Sequence, residues 1–221
     1  MTESITLSEG LLLYLILMAS VILHEWAHAV VADRLGDSTP RLDGRTTLNP
    51  VAHFDLVGTC IMPLVIIFLV PFFAPFGWGK RIILNPSNFD KPQSAEILVW
   101  CAGPLLNFVL TLAAGLLGGL AFRLGIDLRS LVLSVVIING ILLVLNVLPF
   151  PPLDGGHVLR LLTDMREETF IRFSQWSFLI LLGLILFVPP FRAAVDFIFQ
   201  LILSASQFAF SLTSGGAGLF G

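Results

Sequence analysis

Long apolar stretches alternate with short polar segments along the whole chain. The first runs from about Ser8 to Arg34 and ends before Gly36, a residue type that often follows the last turn of a helix. Other apolar stretches cover about 94–122, 128–148, 173–188 and 191–212. An α-helix needs about 20 apolar residues to cross the hydrocarbon core of a bilayer. The pattern therefore predicts an all-α polytopic membrane protein with about five or six transmembrane helices.

A further apolar stretch, 55–76, is interrupted by Pro63, Pro71 and Pro75. Proline disrupts a helix because it lacks an N–H donor and its ring clashes with the preceding turn. The segment therefore either spans the bilayer or enters it and returns to the side from which it came.

The basic residues favour the re-entrant path for 55–76. If the segment spans, Lys and Arg are divided about evenly between the two sides. If it returns, Arg123, Arg129 and Arg192 face one side and the other nine basic residues share the opposite side. Because cytoplasmic loops are enriched in Lys and Arg, we prefer re-entrance, with the basic side in the cytoplasm. The nine residues are Arg34, Arg41, Arg45, Lys80, Arg81, Lys91, Arg160, Arg166 and Arg172.

The composition indicates one membrane domain. Of 221 residues, 56% are hydrophobic and 12% are charged, which is typical of a membrane protein and not of a soluble domain. We assign 1–212 to this domain and 213–221 to a Gly-rich tail. The net charge of −3 gives no indication of a nucleic-acid partner. The sequence before the first apolar stretch contains no Lys or Arg, so we expect the first helix to be retained and not removed as a signal peptide.

The motif His24-Glu25-Trp26-Ala27-His28 lies in the second half of the first predicted helix. Residues four apart share one helix face, so the two imidazoles can bind one Zn²⁺ with Glu25 beside it as general base. The alternative is a pair of hydrogen-bonded core histidines. Inside a membrane this alternative weakens, because His and Glu are costly to bury in hydrocarbon. The motif therefore predicts an intramembrane zinc site.

A catalytic zinc usually has three protein ligands, so one ligand remains to be identified. Asp154 is favoured because it follows the proline-rich stretch 149–152, which ends a helix and opens a cavity at membrane depth. The alternative for Asp154 is an N-cap of the helix that starts near Gly155. The full set of candidates is His53, Asp55, Asp90, Asp154 and His157, with His157 second after Asp154.

Two polar segments have the pattern of short β elements. A run closed by Asn85-Pro86 predicts a short strand. This strand comprises Arg81, Ile82, Ile83 and Leu84. In 41–46, the pair Asp43-Gly44 is typical of a hairpin turn.

Three motifs together resemble the site-2 protease family, the intramembrane zinc metalloproteases of peptidase family M50. They are His24-Glu25-Trp26-Ala27-His28, Gly103-Pro104-Leu105-Leu106-Asn107 and the stretch 146–156 (NVLPFPPLDGG). They occur in the family's order and span most of the chain. The resemblance implies that Asp154 is the third ligand of one Zn²⁺ per chain and that Glu25 is the general base.

Substrate contacts follow from the same resemblance. It implies that Asn146 helps to hold the substrate and that 81–84 is the membrane-associated strand on which the substrate is laid out. The backbone groups of this strand would then be available to an extended peptide. Asn107 is a further candidate. The alternatives are a helix cap beside prolines for Asn146 and a helix-packing hydrogen bond for Asn107.

The resemblance implies a metalloendopeptidase that cleaves in or near transmembrane segments, as in regulated intramembrane proteolysis. It suggests the bacterial inner membrane, an active site towards the cytoplasm, and a single-span substrate such as an anti-sigma factor or a signal-peptide remnant. The competing hypothesis is an ion or proton transporter that uses intramembrane His, Glu and Asp. The chain has no internal repeat, and a transporter does not require Glu25 directly after His24, so we favour the hydrolase.

Overall fold

A computed structural model describes residues 5–69 and 75–220 as a bundle of α-helices. The helices are α1 (Leu7–Arg34), α2 (Thr39–Leu42), α3 (Met62–Leu69), α4 (Pro92–Arg123), α5 (Arg129–Val147), α6 (Asp154–Leu162), α7 (Glu167–Phe187) and α8 (Pro189–Ser214). Within the described ranges, α1, α4, α5, α7 and α8 are long and apolar enough to cross a membrane. The prediction of an all-α polytopic membrane protein is thus confirmed.

The first helix begins and ends where its sequence signals indicate. The Thr6 hydroxyl accepts a hydrogen bond from the Glu9 N–H, and the Glu9 carboxylate accepts one from the Thr6 N–H. This capping box satisfies N–H groups that a first turn leaves without intrahelical partners. The helix ends at Arg34, and Gly36 follows with a φ of 115°, a conformation that favours glycine.

The long helix α4 contacts α1, α5, α6 and α8 and so lies at the centre of the bundle. Its glycines let α8 approach closely, because a Cβ on Gly115 would lie only 2.6 Å from the Ser206 carbonyl oxygen. The Ser206 hydroxyl also donates to the Thr111 carbonyl oxygen at 3.4 Å. Small residues and interhelical hydrogen bonds are the usual means of helix packing in membranes.

The contacts between α4 and α8 show that these two helices run in the same direction. Ser206 lies against Thr111, and Thr213 donates to the carbonyl oxygen of Leu116, further along α4. In contrast, α1 runs antiparallel to α4, because His28 contacts Val99 near the start of α4. The end of α1 and the starts of α4 and α8 therefore lie at one end of the bundle, which we call the basic end.

The prediction that Arg192 lies opposite the basic end is wrong. Phe191 lies next to Phe150, with ring centroids 6.1 Å apart, and Phe150 also lies 6.2 Å from Phe173 near the start of α7. Only Val188 separates α7 from α8, so both ends of α7 are at the basic end. Apolar length shows that a helix can span a bilayer but not that it does. Arg192 thus lies at the basic end, where the sequence analysis expects the nine other basic residues.

The apolar segment that follows α2 packs along α1 and then returns to the place where it began. Asp55 caps a π-helical turn, Leu56–Ile61, by accepting from the Gly58 N–H at 2.7 Å, and the turn continues into α3. Residues 70–74, which include Pro71, lie outside the described residues. After them, the Trp78 N–H donates to the Gly58 carbonyl oxygen at 3.1 Å. This path is the one that a re-entrant segment requires.

The two predicted β elements do not form. Residues 39–42 are the short helix α2, so the hairpin expected at 41–46 is absent, and the described ranges contain no strand that could pair with 81–84. A strand requires a partner for its backbone groups. The segment 81–84 still shows alternating burial, with Ile82 in the core beside Ala29 and Val99 and with Ile83 62% exposed. It is therefore an unpaired segment with one buried side.

Asp37 fixes the far end of this unpaired segment. Its fully buried carboxylate accepts from the Asn85 N–H at 2.7 Å, the Asn88 side-chain amide at 2.8 Å, and both the N–H and hydroxyl of Thr39. Burial alone would raise the pKa of the Asp37 carboxyl, but these hydrogen bonds outweigh it and lower the pKa below its ordinary value. Asp37 thereby ties the loop after α1 to the segment that precedes α4.

We predict that Asp37→Ala lowers the free energy of unfolding by about 1–3 kcal/mol, because buried N–H groups lose their acceptor. Thermal unfolding in detergent micelles measures the effect. Since the folded pKa is lowered, the contribution is complete above about pH 4 and is lost as the pH falls further. The control is Asp33→Ala, which removes a partly exposed ion pair with Arg41 and should cost less than about 1 kcal/mol. Equal effects would contradict the account.

Candidate metal centre and active site

Three side chains from opposite halves of the sequence meet in the interior of the bundle. His24 and His28 come from α1, and Asp154 is the first residue of α6. Asp154 Oδ2 lies 3.1 Å from His24 Nε2 and 3.3 Å from His28 Nε2, and the two Nε2 atoms are 3.1 Å apart. All three residues are buried, and together they could hold a metal ion.

The hydrogen bonds made by the two Nδ1 atoms determine whether each Nε2 atom is a donor or an acceptor. His24 Nδ1 lies 3.2 Å from Asn107 Oδ1, and His28 Nδ1 lies 2.6 Å from the Val99 carbonyl oxygen. Both partners are acceptors, so each Nδ1 carries the hydrogen and each Nε2 presents a lone pair.

Asp154 Oδ2 is also an acceptor, and no donor in the described part of the chain reaches it. With both imidazoles neutral, three buried acceptors therefore face one another without a hydrogen between them. Such an arrangement is unfavourable unless a cation lies at its centre.

The separations of the three acceptors fit zinc. Nitrogen and oxygen ligands bind Zn²⁺ at about 2.0–2.2 Å, so two tetrahedral ligands lie roughly 3.3–3.6 Å apart. The observed separations of 3.1–3.3 Å are close to this range. Calcium prefers six to eight oxygen ligands at longer distances, which two imidazoles and one carboxylate do not supply.

The proline-rich stretch delivers Asp154 as the sequence predicts. α5 ends at Val147, and the chain turns through 148–153 before α6 begins. Gly155 and Gly156 are required in this turn, because a Cβ on Gly155 would lie 2.5 Å from the Leu148 carbonyl oxygen. The N-cap of α6 is Leu153, so the alternative of Asp154 as N-cap is wrong.

The other candidate ligands have different partners. His157 stacks on Trp100 with ring centroids 3.9 Å apart, and burial lowers the pKa of His157 to about 4. His53 Nε2 bonds to the Thr47 carbonyl oxygen at 2.7 Å. Asp55 caps the π-helical turn, and Asp90 is exposed. Among the described residues, the acceptor cluster is therefore confined to His24, His28 and Asp154.

Known proteins resemble this chain over most of its length. It is 35% identical to "Putative zinc metalloprotease YwhC" of Bacillus subtilis over 195 residues, which cover 83% of each chain. It is 32% identical to "Putative zinc metalloprotease Rip2" of Mycolicibacterium smegmatis over 76% of this chain and 64% of that protein. The Rip2 protein of Mycobacterium tuberculosis is 30% identical over 78% of this chain. Residues 119–189 match Peptidase family M50. The chain belongs to peptidase family M50.

Membership of this family makes the protein a zinc metalloprotease and favours the hydrolase over the transporter hypothesis. The family match contains Asp154 but not the α1 histidines, whereas the alignment with YwhC covers most of the chain. No solved structure matches the chain. The arrangement of the site residues therefore rests on the contacts within this chain alone.

Glu25 lies at the edge of the metal centre of this M50 protease. It directly follows His24 and is 9% exposed. The chain that returns from the re-entrant segment passes directly over it, because a Cβ on Gly79 would lie 2.8 Å from Glu25 Cγ. Gly79 therefore brings the start of the segment 79–84, which contains the unpaired residues 81–84, into contact with the residue expected to act as base.

The predicted substrate-contact residues lie in three different settings. Asn107 is fully buried and bonds to His24, while its side-chain NH₂ has no partner in the described chain. Asn146 donates to the Leu142 carbonyl oxygen at 2.9 Å. It also lines an apolar cavity of about 820 Å³ between α4, α5, α6 and α8. The remaining predicted contacts, Arg81, Ile82, Ile83 and Leu84, form the unpaired segment.

The role of Gly103 was not predicted from the sequence, in which this glycine is only one member of a motif. A Cβ at Gly103 would lie 2.6 Å from His24 Nε2 and would also collide with His28 Nε2. The reason is the packing of α1 against α4, which brings the start of α4 against the histidines. Sequence spacing alone does not show which residue of a neighbouring helix lies opposite a ligand.

We predict that Gly103→Ala weakens zinc binding by about 10–100-fold, the range found when groups that orient metal ligands are changed. The added methyl group would push both imidazoles away from Asp154. Metal analysis of the purified protein in detergent measures the loss. Gly183→Ala on α7 is the matched control, because no heavy atom lies within 4 Å of its added Cβ. Full zinc content in Gly103→Ala would refute this role.

Proposed function

We propose that this M50 protease hydrolyses peptide bonds in or near transmembrane segments of membrane proteins. The observation that carries the proposal is a set of three buried acceptors beside Glu25, within helices long and apolar enough to cross a bilayer. Polar groups at such depth are costly and serve a function as a rule. Peptide hydrolysis by one metal ion needs only this donor set and a general base.

In this proposal His24, His28 and Asp154 hold one Zn²⁺ per chain. Zinc, when bound, acts as a Lewis acid that activates water and polarises the scissile carbonyl group. Asn107 and the Val99 carbonyl oxygen fix the ring orientation of the two histidines. Glu25 accepts the proton of the attacking water on its carboxylate and donates it to the leaving amine.

A transmembrane helix must unwind before it is cut, because its backbone groups are all bonded internally. The N–H groups of 81–84 have no hydrogen-bond partner among the described residues. An unwound substrate can pair with them by β-augmentation, although this chain provides no second strand itself. Gly79 holds this segment against Glu25, so a peptide paired there lies beside the base.

Asn146 and the apolar cavity that it lines serve the apolar part of the substrate in this proposal. The Asn146 NH₂ group is used within α5, which leaves the amide oxygen to accept a hydrogen bond from an unwound backbone. Asn107 acts mainly through His24, because its carboxamide is fully buried.

We place the protein in the bacterial inner membrane with the metal centre towards the cytoplasm. The basic end of the bundle supports this orientation, since Arg34 follows the histidines on α1 and Arg192 has joined this end. The substrate we propose is a single-span protein of the type of an anti-sigma factor or a signal-peptide remnant. The enzyme meets it within the lipid bilayer.

The test is proteolysis in reconstituted vesicles. Zinc-loaded protein is mixed with a pool of synthetic single-span peptides that carry Asn-Gly at the centre of the apolar stretch, and the products are identified by mass spectrometry. Cleavage within the apolar stretch is expected. We predict that Glu25→Gln keeps its zinc but lowers the rate by about 10²–10⁴-fold, the contribution of a general base.

Two results would contradict the proposal. One is an unchanged rate in Glu25→Gln, which would exclude Glu25 as the base. The other is cleavage of a soluble peptide added to the same vesicles while no single-span peptide is cleaved, which would exclude intramembrane substrates. His157→Ala is a suitable control, because this ring stacks on Trp100 outside the acceptor cluster.

A further inference from the structure

Arg45 is a buried cation that the metal centre does not explain. It lies in the loop after α2, and its side chain is 1% exposed. Its Nε donates to Asp43 at 2.8 Å, Nη1 to the carbonyl oxygens of Ala52 and Lys80, and Nη2 to that of Arg81 at 3.4 Å. Burial of a guanidinium is costly unless its donors are used. Here most of the donors join two backbone segments, 50–53 and 80–81.

These contacts hold the start of the segment 79–84 in place. In an extended chain, the N–H and C=O groups of one residue point to one edge and those of the next residue to the other. The Lys80 N–H donates to the His53 carbonyl oxygen at 2.9 Å, and its carbonyl oxygen accepts from Arg45 at 3.0 Å. Lys80 thus faces the protein, and Arg45 also holds the carbonyl oxygen of Arg81, the next residue. The N–H groups of 81–84 remain without a hydrogen-bond partner among the described residues.

Both ends of the segment are fixed relative to the catalytic groups. At one end Gly79 lies against Glu25 and Arg45 holds Lys80; at the other, Asp37 holds the Asn85 N–H. A strand rises by about 3.3 Å per residue. A slip of one residue would therefore move a paired peptide by about the length of a peptide unit past Glu25.

We infer that Arg45 is a positioning residue that sets which peptide bond of the substrate is cut. It holds the carbonyl oxygens of Lys80 and Arg81 and so fixes the height of this segment beside Glu25. A substrate that pairs with the unpartnered N–H groups of 81–84 therefore does so in a single register. The inference rests on the proposed function, because it concerns pairing of an unwound substrate. Lysine cannot replace Arg45 here, since one ammonium group does not reach three carbonyl oxygens and a carboxylate at once.

The experiment compares Arg45→Lys with the unsubstituted protein on a cleaved member of the same peptide pool. Mass spectrometry gives the distribution of scissile bonds, and initial rates give KM and kcat. Arg41→Ala is the matched control, because Arg41 lies close by in α2, has a side chain that is 62% exposed, and among the described residues forms its ion pair with Asp33. Zinc content and the temperature of unfolding are measured for every variant.

We expect Arg45→Lys to keep its zinc, to raise KM roughly tenfold with kcat within about twofold, and to spread cleavage over neighbouring peptide bonds. A merely structural role would lower the yield without spreading the cleavage sites. Arg41→Ala should match the unsubstituted protein.

Three results separate the hypotheses. An unchanged KM and a single scissile bond in Arg45→Lys would overturn the role of Arg45 alone. Loss of zinc and of thermal stability in parallel with activity would also overturn it, since Arg45 would then act on folding. No cleavage by the unsubstituted protein would instead overturn the proposed function on which the inference rests.

Discussion

The mutual repulsion of three buried acceptors is the constraint on which the rest of this structure depends. Nε2 of His24, Nε2 of His28 and a carboxylate oxygen of Asp154 face one another within 3.3 Å, with no donor between them. Asn107 and the Val99 carbonyl oxygen enforce this state by occupying both Nδ1 hydrogens. A cation between these atoms would therefore stabilise the bundle, and the number, type and spacing of the atoms match the coordination that zinc prefers.

The segments that surround the metal centre have features that keep the three acceptors close together. α4 supplies a glycine where any side chain would displace the imidazoles, and the two glycines after Asp154 let the proline-rich turn press against α6. On the other face of α1, the returning chain contacts Glu25 through Gly79. Asp37 and Arg45 then pin the loop that carries this chain. The metal centre and the substrate edge are thus parts of one framework built on α1.

Much of this could be predicted from the sequence, because it depends on local pattern. The helix face shared by His24 and His28 is set by their spacing, and the break before Asp154 by its prolines. The strand at 81–84 was predicted from the run closed by Asn85-Pro86, but a strand also requires a partner, and the described part of the chain forms none. Arg192 was misplaced because apolar length does not show whether α7 crosses the bilayer. The roles of Gly103 and Arg45 depend on long-range contacts that no local pattern records.

The most direct test of the central claim is zinc X-ray absorption spectroscopy of the purified protein, compared with the Asp154→Ala variant. The account predicts imidazole nitrogens and a carboxylate oxygen at about 2.0–2.2 Å, with no sulfur neighbour. It also predicts that the spectrum changes in Asp154→Ala. A sulfur shell at about 2.3 Å, or an identical spectrum in the variant, would contradict the assignment of His24, His28 and Asp154 as the ligands.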